Sequence, residues 1–148
     1  MKYYAVIDTN VVVSFLWKDN SVPGEIIKLI FKDKIVPILN EEIINEYYDV
    51  LTRNKFRFSQ NKVERILSKI KSKGIFLERK QTLEEFIDSD DIVFYEIVLS
   101  ARCTMDAYLV TGNIKHYPIR NYVVTPRQML DIIKSEKELE KKNNNKSA

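Results

Sequence analysis

The chain has 148 residues, the size of one domain, and at that length it should bury roughly 70% of the surface its unfolded form exposes. Its one cysteine, Cys103, excludes an internal disulfide framework and a cysteine-based zinc cluster, and is expected to be an ordinary buried side chain. The net charge of +3 is too small to mark a nucleic-acid binder by itself. No segment approaches the roughly 18 apolar residues of a membrane span and no leader pattern precedes the first apolar run, so a cytoplasmic protein is expected.

Tyr3-Tyr4-Ala5-Val6-Ile7 is apolar enough for a strand buried on both faces, the mark of a parallel sheet under helices. It ends at Asp8, where an open α/β sheet keeps its ligand crevice. Residues 11–17 and 23–33 read as short helices, with Pro23 near the start of the second. Ile35–Leu39 reads as a second strand, which Pro37 places toward an edge. Asn40 caps a helix through Arg53, and another runs from Asn61 to Lys73 with Val63, Ile66, Leu67 and Ile70 on one face.

Gly74 stops that helix, and Ile75–Leu77 makes a third strand. Residues 91–101 form a helix, Ala107–Thr111 a fourth strand ending at Gly112-Asn113, and Tyr122–Val124 a fifth. Thr125-Pro126 opens a last helix. Strands alternating with helices predict a three-layer α/β/α sandwich with a mostly parallel sheet of about five strands over residues 1–136, followed by a charged, Asn-rich tail over 137–148 that frays.

Charge is unevenly spread. Residues 53–73 hold eight bases against Glu64 alone, a net of +7, and residues 84–96 hold six acids and no base. A basic flank beside an acidic cluster suits a metal-dependent enzyme acting on phosphodiesters, although two solvated helix faces give the same pattern. Asp8 is the strongest candidate ligand, since Thr9 and Asn10 are better placed to cap the next helix. Glu46 lies about 100° from the middle of the apolar face formed by Ile43, Ile44, Tyr47, Val50 and Leu51, on the rim of its helix. In Asp88-Ser89-Asp90-Asp91 the first acid reads as an N-cap, which leaves Asp91, with Asp90 in reserve, to face a cation. Asn113 offers an amide oxygen at the end of the fourth strand, or a turn residue.

Ligands drawn from Asp, Glu and Asn imply a hard, oxygen-preferring ion, Mg²⁺ or Mn²⁺. His116 reads as a surface or turn residue, and Gly24, Gly74 and Gly112 are too scattered for a dinucleotide fingerprint or a Walker loop. Arg53-Asn54-Lys55-Phe56-Arg57-Phe58 interleaves basic and aromatic residues as single-strand binders do, though phenylalanines in a loop more often anchor it to the core. Lys62, Arg65, Lys69 and Lys73 continue the basic stripe, which a solvated helix face also explains.

Four segments in this order, Val6-Ile7-Asp8-Thr9-Asn10-Val11, Glu46 followed by Asp49-Val50-Leu51, Asp91-Ile92-Val93-Phe94, and Tyr108-Leu109-Val110-Thr111-Gly112-Asn113, resemble the PIN-domain family. Within it the chain is similar to the toxin components of prokaryotic toxin-antitoxin pairs, over roughly residues 1–133. The resemblance implies a Mg²⁺- or Mn²⁺-dependent ribonuclease whose acidic quartet carries over to Asp8, Glu46, Asp91 and Asn113. The last is a departure from the aspartate many members carry, and its amide offers a second metal a neutral oxygen but no charge. Thr9, Asn10 and Ser14 would orient the attacking water or a phosphate oxygen, and Arg53, Lys55, Arg57, Lys62 and Arg65 would hold RNA. The partners implied are single-stranded RNA, a small antitoxin protein and a second copy or more of the chain.

Competing folds fit less well. A receiver domain needs an aspartate after the third strand, where Leu77 leads to Glu78-Arg79-Lys80, and a haloacid-dehalogenase-type phosphatase needs one two residues after Asp8, where Asn10 stands. A catalytically silent PIN-like module that binds RNA or protein is the alternative from another class.

Overall fold

The structure, a computed structural model, describes residues 1–147; of the tail only Ala148 lies outside them. Strands β1 (Tyr3–Ile7), β2 (Ile35–Leu39), β3 (Ile75–Phe76), β4 (Ala107–Val110) and β5 (Val123–Val124) form one sheet in the order β3-β2-β1-β4-β5, every pair parallel. Helices α1 (Thr9–Trp17), α2 (Val22–Phe31), α3 (Glu41–Leu51), α4 (Gln60–Lys73), α5 (Ile92–Arg102) and α6 (Pro126–Ser147) cover it. The expected α/β/α sandwich is what forms. Burial explains why: Ala5, Val6, Ile7, Leu109 and Val110 are fully enclosed, as strands under helices on both sides must be.

Helix starts follow the capping chemistry of the sequence. Asn40 Oδ1 accepts the Ile43 N–H at 2.8 Å and Asp88 Oδ1 accepts the Asp90 N–H at 2.9 Å. Thr9 and Asn10 do not cap; both lie inside α1, whose N-cap position is Asp8 itself.

Two local expectations, those for Pro37 and Cys103, are corrected, and Gly74 ends α4 as expected. Pro37 is in a strand flanked on both sides, not at an edge. Its carbonyl oxygen lies 3.1 Å from where a Cβ on Gly74 would sit, on the side of β3, and β3 begins only at Ile75, so its missing N–H falls where there is no ladder to complete. Gly74 has an extended backbone, so no left-handed cap requires it; a Cβ there would meet Leu39 Cδ1 at 2.5 Å, and close approach of β2 is the constraint. Cys103 is exposed, because it follows the last turn of α5, beside Lys80 Nζ at 3.4 Å.

The last helix also runs past Lys137, where fraying was expected, through Ser147. Met129 is buried and Tyr3 donates to Glu136 Oε2 at 2.6 Å, tying the helix to the first strand; the Glu, Lys and Leu residues that follow are good helix formers.

The long segment between β3 and α5 has little regular structure and is held by Glu96, a buried carboxylate on α5. Its Oε1 accepts from Arg79 Nε at 2.7 Å, its Oε2 accepts from the Thr82 N–H at 2.7 Å, and Arg79 reaches on to Glu42 of α3 at 2.6 Å. Further along, Glu84 pairs with Arg120, and Phe86 packs edge-on against Tyr95 and Tyr117. These contacts carry the acidic cluster to the end of β1.

Candidate metal centre

The strand order reverses between β1 and β4, and the crevice of an open α/β sheet opens there, beyond the carboxyl ends. Asp8 follows β1, Thr111 follows β4, and the Thr111 hydroxyl donates to Asp8 Oδ2 at 2.7 Å. The Tyr117 hydroxyl donates to the same oxygen at 3.0 Å and lies 3.5 Å from Asp91 Oδ1. One phenol thus links two carboxylates that are far apart in sequence. On the other side of Asp91, His116 Nδ1 lies 3.2 Å from Oδ2, so His116 stands in the turn after β4, as expected, and from there also reaches the site.

Electrostatics mark the same place. Asp8 is 5% exposed, and its burial pushes the carboxyl up despite the hydrogen bonds from Thr111 and Tyr117. Asp91 is pushed up from 3.8 to about 6, first by burial and then by the charges of Asp8 and Asp88, against the pull of His116. Burial and the two carboxylates hold the Tyr117 phenol well above its ordinary range, so it stays a donor. The repulsion that the Asp8 charge exerts on the Asp91 carboxylate is what a cation relieves.

The residues present fit such an ion in part. The donors are hard oxygens, and Thr9, 6% exposed and next to Asp8, has a buried hydroxyl oxygen without a hydrogen-bond partner. Mg²⁺ commonly takes one or two carboxylates and completes its shell with waters and substrate phosphate. Among the described residues no three His, Cys, Asp or Glu side chains form a ready-made cage. Asp8 and Asp91 come together; Glu46 is half-buried, and after desolvation the charge that raises its carboxyl most is that of Asp90. Asp90 and Asn113 are exposed, and the Asn113 N–H donates to the Thr111 hydroxyl at 2.9 Å. Asn10 Oδ1 accepts the Gly112 N–H at 2.9 Å, pinning the β4 turn to α1, while the Ser14 hydroxyl is turned back to the Asn10 carbonyl at 2.9 Å.

Arg53 pairs with Asp49 at 3.5 Å on the surface, and Lys55, Arg57, Lys62 and Arg65 are exposed. Thr111 and Tyr117 are the site residues that sequence reasoning missed. Thr111, a polar residue ending an apolar run, carried the same signal as Asp8. Tyr117 carried none, because only the fold of the turn after β4 brings its hydroxyl back to β1.

The Asp91 shift has a consequence for stability. Between about pH 4 and 6 the folded chain retains a proton on Asp91 that the unfolded chain has lost, so raising pH through this window removes stability, and above it the contribution is flat. In EDTA, the stability difference between wild type and Asp91→Asn should therefore move against wild type across the window. Parallel pH profiles for the two proteins would contradict the coupling.

An all-parallel sheet with paired carboxylates at its strand reversal defines an α/β protein with an acidic strand-end site. The model of the PIN domain matches residues 4–115, and the chain belongs to that family, whose members are in general nucleases that use divalent metals. An uncharacterized protein of Methanocaldococcus jannaschii is 29% identical over 116 residues, which cover 76% of this chain and 72% of that protein. A chain in the crystal structure of VapBC2 from Rickettsia felis, bound to a DNA fragment from their promoter, superposes with a TM-score of 0.57 at 16% identity, covering 82% of this chain and 96% of that one. That likeness is one of fold. Among the described residues no helix is long and apolar enough to cross a membrane.

Proposed function

We propose that this chain is a Mg²⁺- or Mn²⁺-dependent endoribonuclease that hydrolyses phosphodiester bonds of single-stranded RNA, acting in the cytoplasm as the toxin of a toxin-antitoxin pair. The observation that carries the reading is the Asp8–Tyr117–Asp91 arrangement at the strand reversal of a PIN fold. Asp8 and Asp91 hold the cation, with Glu46, Asp90 and Asn113 as further oxygen donors. When bound, the ion lowers the pKa of a coordinated water and offsets charge developing on the phosphoryl oxygens.

The chain's own residues do the rest. Thr111 and Tyr117 fix the orientation of the Asp8 carboxylate by two bonds to one oxygen, and His116 steadies Asp91. The unpartnered Thr9 hydroxyl serves the water or a phosphate oxygen, and Asn10 keeps the β4 turn at the right distance. Ser14, bonded to its own helix, acts on the start of α1 rather than on substrate. The shared fold with VapBC2 supports the toxin role, with a small antitoxin protein as partner and a homodimer or higher oligomer as the working form.

The deciding experiment is incubation of single-stranded RNA with the purified protein in Mn²⁺ or Mg²⁺, with EDTA as control. Cutting in metal alone supports the reading; intact RNA under both conditions would leave a silent RNA- or protein-binding module. Reversal of Lys55 and Arg57 to glutamate should weaken RNA binding while leaving Mn²⁺ affinity unchanged. Each lost phosphate contact reduces the slope of log affinity against log salt by about 0.7 on a single strand. Parallel lines for wild type and the double variant would place the RNA path elsewhere, along Lys62 and Arg65.

A further inference from the structure

Trp17 is the one tryptophan of the chain, and at the end of α1 it is left 67% exposed. Its ring is held edge-on by two phenylalanines from a distant loop, Phe56 at 6.4 Å and Phe58 at 6.1 Å, which stack on each other at 5.5 Å with planes 6° apart. Phe58 packs against the core, so the cluster fixes the indole without covering it. A large ring held rigid yet open to water forgoes most of the free energy its burial would supply, and marks a contact surface more often than a packing defect.

The surroundings say what kind of partner fits. Lys55 Nζ stands 5.0 Å over the Phe56 ring, and Arg57 adopts the left-handed region at φ 56°, sparsely populated for arginine. Among the described residues no ion pair reaches Arg57, Lys62 or Arg65. With a net of +7 over residues 53–73, the segment favours a polyanion over a neutral apolar partner. A polyanion that also offers flat rings is a single-stranded nucleic acid, for which aromatic platforms in a basic groove are the general solution. Thr9, at the carboxylate end of α1, and Trp17 lie about 12 Å apart along one helix axis.

We propose that Trp17, braced by Phe56 and Phe58 and flanked by Lys55 and Arg57, is a stacking site for a base of single-stranded RNA. The proposal rests on the reading of the protein as acting on RNA and adds a residue outside the carboxylate site.

Because no other tryptophan is present, indole emission reports this position alone. Titration of the full chain with a short oligouridine in EDTA, where nothing is cut, should quench the emission saturably. Binding of the same oligomer, labelled and followed by anisotropy, should weaken roughly 5- to 150-fold in Trp17→Ala, the range expected for loss of one stacked base, and largely recover in Trp17→Phe. Thermal melts show whether each variant is folded, and Trp17→Phe keeps the test decisive if the alanine variant is not. Unchanged emission with oligouridine, or equal affinity for folded wild type and Trp17→Ala, overturns the proposal. So does quenching by poly-glutamate but not by oligouridine, which would make this a protein-docking face, or concentration-dependent self-association lost in Trp17→Ala. Quenching without RNA cutting in Mn²⁺ would refute the nuclease reading while sustaining the stacking site, and cutting without quenching would do the reverse.

Discussion

Asp8→Asn should abolish RNA cutting and leave the metal-free protein as stable as wild type or more so. Asp8 is buried, its burial raises the carboxyl's pKa, and its charge raises that of Asp91. The ionised carboxylate is therefore a cost to the empty fold that the neutral amide does not carry. Asn can still accept the bonds from Thr111 and Tyr117 through its one oxygen. What it loses is the charge a divalent ion requires, so Mn²⁺ affinity measured by calorimetry should fall by more than tenfold, on the scale of one lost unit of pKa-equivalent interaction, about 1.4 kcal/mol or greater. The pH-dependent stability difference attributed to Asp91 should shrink in the same variant. Full activity in purified Asp8→Asn, with contaminating nuclease excluded, would remove Asp8 from the site, and a large drop in the metal-free melting temperature would make it a structural residue.

Glu96→Ala should have the largest effect on stability. Its carboxylate accepts from Arg79 and from the Thr82 N–H, and its carbonyl accepts the Lys80 N–H at 3.3 Å, so one residue anchors the start of the segment that leads to Asp88 and Asp91. Removing one partner of a buried ion pair costs about 3–5 kcal/mol. The lower end, about 3 kcal/mol, applies because the Arg79 side chain is 35% exposed and keeps Glu42. In a domain of this size that lowers the melting temperature by roughly 6–12 °C. A double-mutant cycle with Arg79→Ala isolates the pair, and additive losses would mean that Glu96 acts through the Thr82 N–H and its packing rather than through Arg79. Since the segment also packs Phe86 on Tyr117, weaker cation binding should accompany the loss.

The sequence by itself determined those features that depend on neighbours along the chain. Apolar runs ending in a polar residue marked β1 and β4, and Asn40 and Asp88 announced their helices, because strand burial and capping are decided within a few residues. Asp8 was legible for the same reason: a charge at the end of a doubly buried strand has one environment open to it. Tertiary structure decided the pairings. Tyr117 reaches Asp8 and Asp91, and Trp17 meets Phe56 and Phe58, only because the strand order and the loop paths juxtapose them. Glu46 shows the limit most plainly, since its place on the rim of α3 was readable from helical periodicity, yet which charges act on its carboxyl, Asp90 first among them, depended on how α3 and the segment before α5 pack. Such contacts leave no periodic trace in the chain, because they are set by the summed packing of the whole domain rather than by local backbone preference.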